Sequence, residues 1–392
     1  MHADDDYDDD GPDLELLELL RQSLGLGGGN SKTPPPAETK VLEGAKFIFD
    51  NAIDVALDPK GTKSAAKNIW KMMQEKEYST ESWSAHELHP KAKDESTVNF
   101  IFTMDLLNFS FWSELDASKR FAVEYRGRKW TGYWSLVAAL QRALDEDTVL
   151  RLTEIPITSS DFWQDENECT DEVLRHVFRS ATDEEIPLLE ERIACLREAG
   201  SILYEKYECS FTNCIAEANG SAAALVNLLA QNFPCFRDES EFCGKKVRFY
   251  KRAQILVADL WACFQGQSYG EFHDIDKITM FADYRIPQML NQLGCLLFSP
   301  PLESVIRQRK LIPSGHQREI ELRGASIWGV ELLRREIQEL QRQRNGHHEA
   351  NGSKPLHINA ILIDFFLYDM VKDMEAGGKE TMPHHRTRSI WY

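Results

Sequence analysis

Two stretches of this 392-residue chain set residues capable of chemistry at spacings that a fold can use. Over 249–264, Tyr250, Ala253, Leu256, Val257, Leu260, Trp261 and Phe264 recur at helical intervals and predict a helix. Lys251, Ile255 and Asp259 share one face of it, with Arg252 beside Lys251 in the first turn. A turn with Gly266 and Gly270 follows, then His273-Asp274-Ile275-Asp276, then Phe281-Ala282-Asp283-Tyr284-Arg285 ahead of Pro287. A carboxylate held by such a turn can stabilise or attack a developing cation. Asp283 can equally pair with Arg285 and help to start a helix at Pro287. Spacing alone leaves both readings open. The second stretch is Asp364-Phe365-Phe366-Leu367-Tyr368-Asp369, where Asp364 and Tyr368 lie one helical turn apart. A carboxylate in such apolar sequence must be hydrogen-bonded or stand at a pocket wall, because an unpaired buried charge is costly.

The crowded aromatics of Asn108-Phe109-Ser110-Phe111-Trp112 read as core or as a wall for a flat ligand. His347-His348 and His384-His385 read as solvated surface rather than metal ligands. The chain contains no Walker A loop, no dinucleotide-binding glycine fingerprint after a strand, no H-E-x-x-H and no G-x-S-x-G.

The elements that must position these residues are mostly helical. Apolar periodicity predicts helices over 41–57, 182–206, 221–232, 249–264, 287–297, 324–342 and 358–373. Thr182-Asp183-Glu184-Glu185 has the pattern of a capping box. Alternation in 98–103 and 121–125 suggests two strands that pair. Residues 1–40, with an acidic run, four glycines over 25–29 and Pro34-Pro35-Pro36, read as a disordered tail, and Leu14–Leu20 as a frayed helix at most. Residues 343–355 read as a loop insertion. The expected architecture is mainly α: a single helical domain over 41–392 with a small β element.

Net charge is −18, and the nine acids against one arginine in residues 1–22 account for much of it. A polyanion needs a basic surface, so stable binding to a nucleic acid is not expected, whereas a small anion in a local basic pocket is compatible. No apolar run approaches the roughly 20 residues needed to cross a bilayer, so no membrane partner is expected. The opening Met1-His2-Ala3-Asp4 lacks the basic and apolar regions of a secretion signal. Eight scattered cysteines without a C-x-x-C pair read as reduced, mostly core residues such as Cys263. These features point to the cytoplasm, with the nucleus as the alternative.

The same segments resemble the queuosine salvage protein family, the queuosine 5′-phosphate N-glycosylase/hydrolases. The resemblance lies in His86-Glu87-Leu88-His89-Pro90, Leu107 to Trp112, Gly132-Tyr133-Trp134-Ser135-Leu136 and Asn232-Phe233-Pro234. It is strongest in Tyr250 to Leu256, Met280 to Gln288 and Glu321-Leu322-Arg323-Gly324, and returns in the ending Arg386 to Tyr392. It spans about 41–392, and the tail and the 343–355 segment look like additions. It implies a helical fold related to helix–hairpin–helix DNA glycosylases, whose helix, glycine turn and carboxylate follow in the order seen over 249–285. It also implies hydrolysis, without metal or cofactor, of the N-glycosidic bond of queuosine 5′-monophosphate, releasing queuine for salvage into tRNA modification. Asp283 is then the carboxylate beneath the anomeric carbon, as nucleophile or as cation stabiliser. Phe281 resembles a residue flanking the base, and His86 a base-pocket residue. Asp364 and Tyr368 suit the cationic amine and cyclopentene diol of queuine. Asp373 is a looser addition, because helix geometry turns it away from Asp364. Lys251, Arg252 and Arg285 are candidates for the 5′-phosphate, although Arg252, like Arg323, can equally serve as a structural ion-pair residue. The alternative is a non-catalytic nucleoside-binding or scaffold protein, suggested by the acidic tail.

Overall fold

The chain begins its regular structure with α1 (Val41–Asp50), the strand β1 (Val55–Leu57) and α2 (Pro59–Glu75). This is a computed structural model, and it describes residues 36–150, 156–165, 167–345, 358–378 and 381–392. Asp58 caps α2 by accepting from the N–H groups of Lys60 and Gly61, and Pro59 takes the first helical position, where no N–H is needed. Next come α3 (Glu81–Ala85) and α4 (Glu95–Leu106). A hairpin of β2 (Val123–Tyr125) and β3 (Arg128–Trp130) leads into α5 (Tyr133–Leu150). The short α6 (Ser160–Gln164) and α7 (Asp171–Val177) precede α8 (Leu189–Tyr207), α9 (Phe211–Glu217) and α10 (Ala222–Asn232). A second hairpin, β4 (Glu239–Phe242) with β5 (Lys245–Arg248), delivers the chain to α11 (Lys251–Cys263). The last third is α12 (Arg285–Gln292), β6 (Leu296–Phe298), α13 (Pro300–Arg307), α14 (Gln317–Asn345) and α15 (Ala360–Ala376).

The fold is mainly helical, with the described strands confined to three antiparallel pairs. The β1–β6 pair, with Val55 opposite Phe298, ties the start of the domain to the segment that follows α12. At the centre lies α11, of which every residue except Trp261 is buried. It packs on α3, α4 and α10. The long α14 packs on α1, α2, α12 and α15. A helix apolar on one side only would leave a face to water, so enclosure of α11 fits its flanking by other helices on several sides. No described helix is long and apolar enough to cross a membrane.

Several expectations need correction. Residues 98–103 are not a strand: they lie inside α4, where Thr97, Val98 and Phe100 to Leu106 are all buried. Burial on nearly every face removes helical periodicity, and the alternation that remains imitates a strand. Asp94 marks the true start by accepting from the N–H of Thr97. Residues 123–125 do form a strand, but their partner is Arg128–Trp130, across a turn with Arg126 and Gly127 at φ 49° and 72°. The 41–57 helix ends at Asp50, and 55–57 is β1. The 287–297 helix begins at Arg285, stops at Gln292 and gives way to β6. The capping box at Thr182 is unused: its hydroxyl donates to the Arg120 carbonyl, and α8 starts after Pro187. Helix α14 continues through Asn345, three residues into the segment expected as a loop. The rest of that segment, the 1–35 tail with Leu14–Leu20, and His347-His348 lie outside the described residues. All eight cysteines are free, and six of them, including Cys263, are buried.

One close approach sets the spacing of the helices. A Cβ added at Gly324 of α14 would lie 2.6 Å from the Cβ and Cγ2 of Ile48 on α1. Gly324→Ala is expected to force the two helices apart and cost about 1–3 kcal/mol in urea unfolding, more than the helix propensity it gains. Adding Ile48→Ala should recover part of that loss, whereas simple additivity of the two variants would refute the contact.

Candidate active site

Residue Asp238, between α10 and β4, organises the N-terminus of α11. Its carbonyl accepts from the N–H groups of Phe249 and Tyr250, and its carboxylate accepts from Lys251 N at 3.1 Å. Tyr250 takes a left-handed conformation to enter the helix. From α14, the buried Arg323 grips the Asp238 carboxylate through both terminal nitrogens, at 2.8 and 2.5 Å. Its Nε donates to the Ala282 carbonyl at 3.1 Å, and its guanidinium lies over the rings of Phe249 and Tyr392. One ion pair thus fixes the start of α11, the Phe281–Asp283 segment and the end of the chain.

The Asp283 carboxylate accepts on Oδ1 from the N–H groups of Arg285 (2.7 Å) and Ile286 (3.1 Å), so it caps α12. Among the described residues no hydrogen bond reaches Oδ2. The helix-starting part of the structural reading therefore holds, although the Arg285 guanidinium pairs with Glu375 rather than with Asp283, and one oxygen of Asp283 is left available. Asp283 borders a cavity of about 550 Å³, within the range of small-molecule sites. Phe281, His86, Asp364, Tyr368, Lys251 and Arg285 line the same cavity, so seven of the nine sequence-selected residues meet there. The other two do not. Arg252 is 2% exposed, and its guanidinium points away from the cavity to the carbonyls of Leu106 and Cys235, between the rings of Phe109 and Phe236. That position joins α4 to α11 and offers no face to a ligand. Asp373 is exposed and pairs with Lys76 at 3.4 Å, as the helical turn from Asp364 requires.

Burial dominates the electrostatics. It lowers Lys251 to about 8, and the negative charge of Asp283 opposes this. Asp364 is held well above the usual carboxylate range by burial and by Asp283, even though its Oδ2 accepts from Phe281 N at 3.1 Å. Asp259 lines the cavity, where burial and the negative charge of Asp105 raise it, and burial raises the enclosed Asp105 to about 8. His86 and His89 are lowered by burial, His89 to about 3, and both are neutral. His89 places Nδ1 at 2.7 Å from the Trp83 carbonyl, to which it donates, so its Nε2 accepts from the Tyr133 hydroxyl at 2.8 Å. His86 accepts from Leu88 N at Nδ1, which leaves Nε2–H as a donor. Its ring face is covered by Trp134, at 3.3 Å between centroids.

Sequence reasoning missed part of this wall. Phe111 and Trp112 do line the cavity, whereas Phe109 is core beneath Arg192 and Arg252. Asp259 carried a usable signal, since it shares a helix face with Lys251 and Ile255, and all three border the cavity. The expected solvated surface at His384-His385 is a correction. His385 is 2% exposed and bonds the Tyr392 hydroxyl, and His384 packs on Tyr284 at the cavity wall. The 384–392 segment is held there by bonds from Trp112 Nε1 to Thr387 O and from Ser110 N to Tyr392 O. No periodicity marks such a segment. Among the described residues no three His, Cys, Asp or Glu side chains converge as metal ligands.

Comparison with known proteins places this architecture. The family model described as queuosine salvage protein matches residues 88–392. The chain belongs to the queuosine salvage protein family. It is 44% identical to the queuosine 5′-phosphate N-glycosylase/hydrolase of Schizosaccharomyces pombe, covering 90% of this chain and 100% of that protein. It is 42% identical to the protein of the same name from Nematostella vectensis, over 89% of this chain and 97% of the relative. The like-named protein of Sphaerobacter thermophilus is 38% identical, over 90% and 97%. In this member of the family, Arg323→Leu should strand the Asp238 carboxylate in the interior and cost roughly 3–5 kcal/mol. Chemical denaturation measures this, and a loss under 1 kcal/mol would refute the hub.

Proposed function

We propose that this chain hydrolyses the N-glycosidic bond of queuosine 5′-monophosphate and releases queuine. The observation that carries the reading is Asp283, a helix cap with one unengaged oxygen, facing an aromatic cavity of nucleotide size in a member of this family. As the C1′–N bond breaks, the base departs with the bonding pair and positive charge builds on the ribose. A carboxylate below the anomeric carbon offsets that charge, water adds its oxygen to C1′, and the proton released ends on the departing base. Two N–H donors fix Asp283 before the reaction, so little reorganisation is needed during it.

The rings of Trp134 and Phe281 supply faces for a flat base, and neutral His86 supplies the Nε2–H donor. Asp364, raised by burial and by Asp283, would be drawn back towards ionisation by the secondary ammonium group of queuine, with Tyr368 one turn away for the diol. Lys251 lines the same cavity, and the negative charge of Asp283 acts on it. We also read α11, the turn with Gly266 at φ 70° and the Asp283 segment as akin to the helix–hairpin–helix glycosylases. Gly270 favours that packing, since a Cβ there would lie 2.5 Å from the Leu260 carbonyl.

Incubation with queuosine 5′-monophosphate should yield free queuine by chromatography. Asp283→Asn should lower kcat by at least about a hundredfold with the fold intact by circular dichroism. Near-wild-type turnover by that variant would sink the assignment. The depressed Lys251 sets a further expectation. Its ammonium form persists below about pH 8 and is lost above it, so kcat/KM should fall on the alkaline side with a midpoint near 8. Lys251→Arg should move that limb upward, and an unmoved limb would exclude Lys251 as its source.

A further inference from the structure

Away from the cavity, two buried guanidinium groups stand beside two thiols. Arg192 of α8 and Arg252 of α11 are enclosed, and both lie over the ring of Phe109, at 4.3 and 4.9 Å. Their hydrogen bonds go to main-chain carbonyls: those of Pro187, Leu107 and Phe109 for Arg192, and those of Leu106 and Cys235 for Arg252. Among the described residues neither arginine forms an ion pair with a carboxylate. Carbonyls satisfy the N–H groups without neutralising the charge, and a buried charge lacking a counter-ion is costly. Burial and the charge of Arg252 lower Arg192 to about 9.

Cys195 follows Arg192 by one turn of α8, and Cys235 lies in the single-turn helix Pro234–Phe236. A backbone bond sets the second cysteine against the first. Cys235 N donates to Glu198 Oε1 at 2.9 Å, and Glu198 follows Cys195 by one turn. The carbonyl of Cys235 is also one of the two that accept from Arg252. Both cysteines are buried, and their thiols are hydrogen-bonded to each other. With Cys235 as donor, this bond holds Cys195 below the ordinary thiol range, and the charges of Arg252 and Arg192 act in the same direction against burial and Glu198. The same bond, with burial, pushes Cys235 up. A thiolate on Cys195 is the anion that the two guanidinium groups lack.

We propose that Cys195 and Cys235 are a redox-active pair, which a hydroperoxide converts into a disulfide that locks α8 to the segment between α10 and β4. The Cys195 thiolate attacks one oxygen of hydrogen peroxide, and the O–O bond breaks. Cys195 becomes a sulfenic acid, and the departing hydroxide takes up a proton as the first water. The sulfur of Cys235 then attacks the sulfenic sulfur, the S–S bond forms and the S–O bond breaks. The hydroxide leaves with the proton of Cys235 as the second water. The two sulfurs together lose two electrons, and the peroxide gains them. The disulfide closes a loop of about 40 residues, which restricts the unfolded chain, and a reducing thiol reopens it. It ties down the chain three residues before Asp238, the residue that sets the start of α11.

Peroxide treatment, alkylation and peptide mapping should yield a Cys195–Cys235 linked peptide, lighter by about 2 Da than its two halves, which dithiothreitol separates. The oxidised protein should unfold at a higher urea concentration than the reduced one. Cys235→Ser should stop at the sulfenic acid and take up dimedone on Cys195, whereas Cys195→Ser should take up none on Cys235. The exposed Cys243 reports that the peroxide has acted. Oxidised Cys243 in a wild-type protein whose Cys195 and Cys235 both remain free thiols would overturn the pair. Dimedone on Cys235 in Cys195→Ser would overturn the assignment of Cys195 as the attacking thiolate. An unchanged or lower urea midpoint on oxidation would overturn the lock. None of these readouts depends on turnover.

Discussion

The buried pair between Arg323 and Asp238 is the constraint on which the site depends. Neither side chain is more than 4% exposed, and a charge so enclosed is tolerated only with full hydrogen bonding. Here the bonds are spent on backbone from separate parts of the chain: Lys251 N at the head of α11, Ala282 O before Asp283, and Trp391 O in the last segment at 3.4 Å. Glu319, one turn before Arg323, adds a second buried carboxylate at 3.6 Å. An apolar substitute could fill the volume, but it could not set the direction of three backbone groups at once.

That hub explains how a cavity can hold so many ionisable groups. Asp283, Asp364, Asp259 and Lys251 all border it, and burial works against the charge of each group whose titration it shifts. Asp364 stays in place because its carboxylate accepts from Phe281 N. The interior is therefore poised for a cationic, polar ligand, which would relieve the crowding of carboxylates. Arg120, Arg285 and Lys372 also line the cavity, and Glu375 pairs with the last two.

The capping role of Asp283 is compatible with the chemical role proposed for it. Capping α12 engages one oxygen and fixes the carboxylate plane, so the second oxygen is presented in a defined direction. A carboxylate on a flexible side chain would lose part of its effect to disorder.

The sequence by itself determined the helical class, the position of α11, the shared face of Lys251, Ile255 and Asp259, and the pairing of Asp364 with Tyr368, because these follow from local periodicity. It also marked Asp283, through a family resemblance rather than through spacing. Tertiary structure decided the rest. Residues 98–103 alternate like a strand but are helical, since enclosure on nearly every side erases the helical signature. Arg252 and Arg285 look alike in sequence, yet one is locked to core carbonyls and the other faces the cavity. Arg120, Lys372, His384 and Tyr392 join the wall only because α15, the Arg120 loop and the 384–392 segment converge on α11 and α12. Local pattern reports which face of an element is apolar, whereas the charge a residue meets across a cavity depends on contacts between segments hundreds of residues apart.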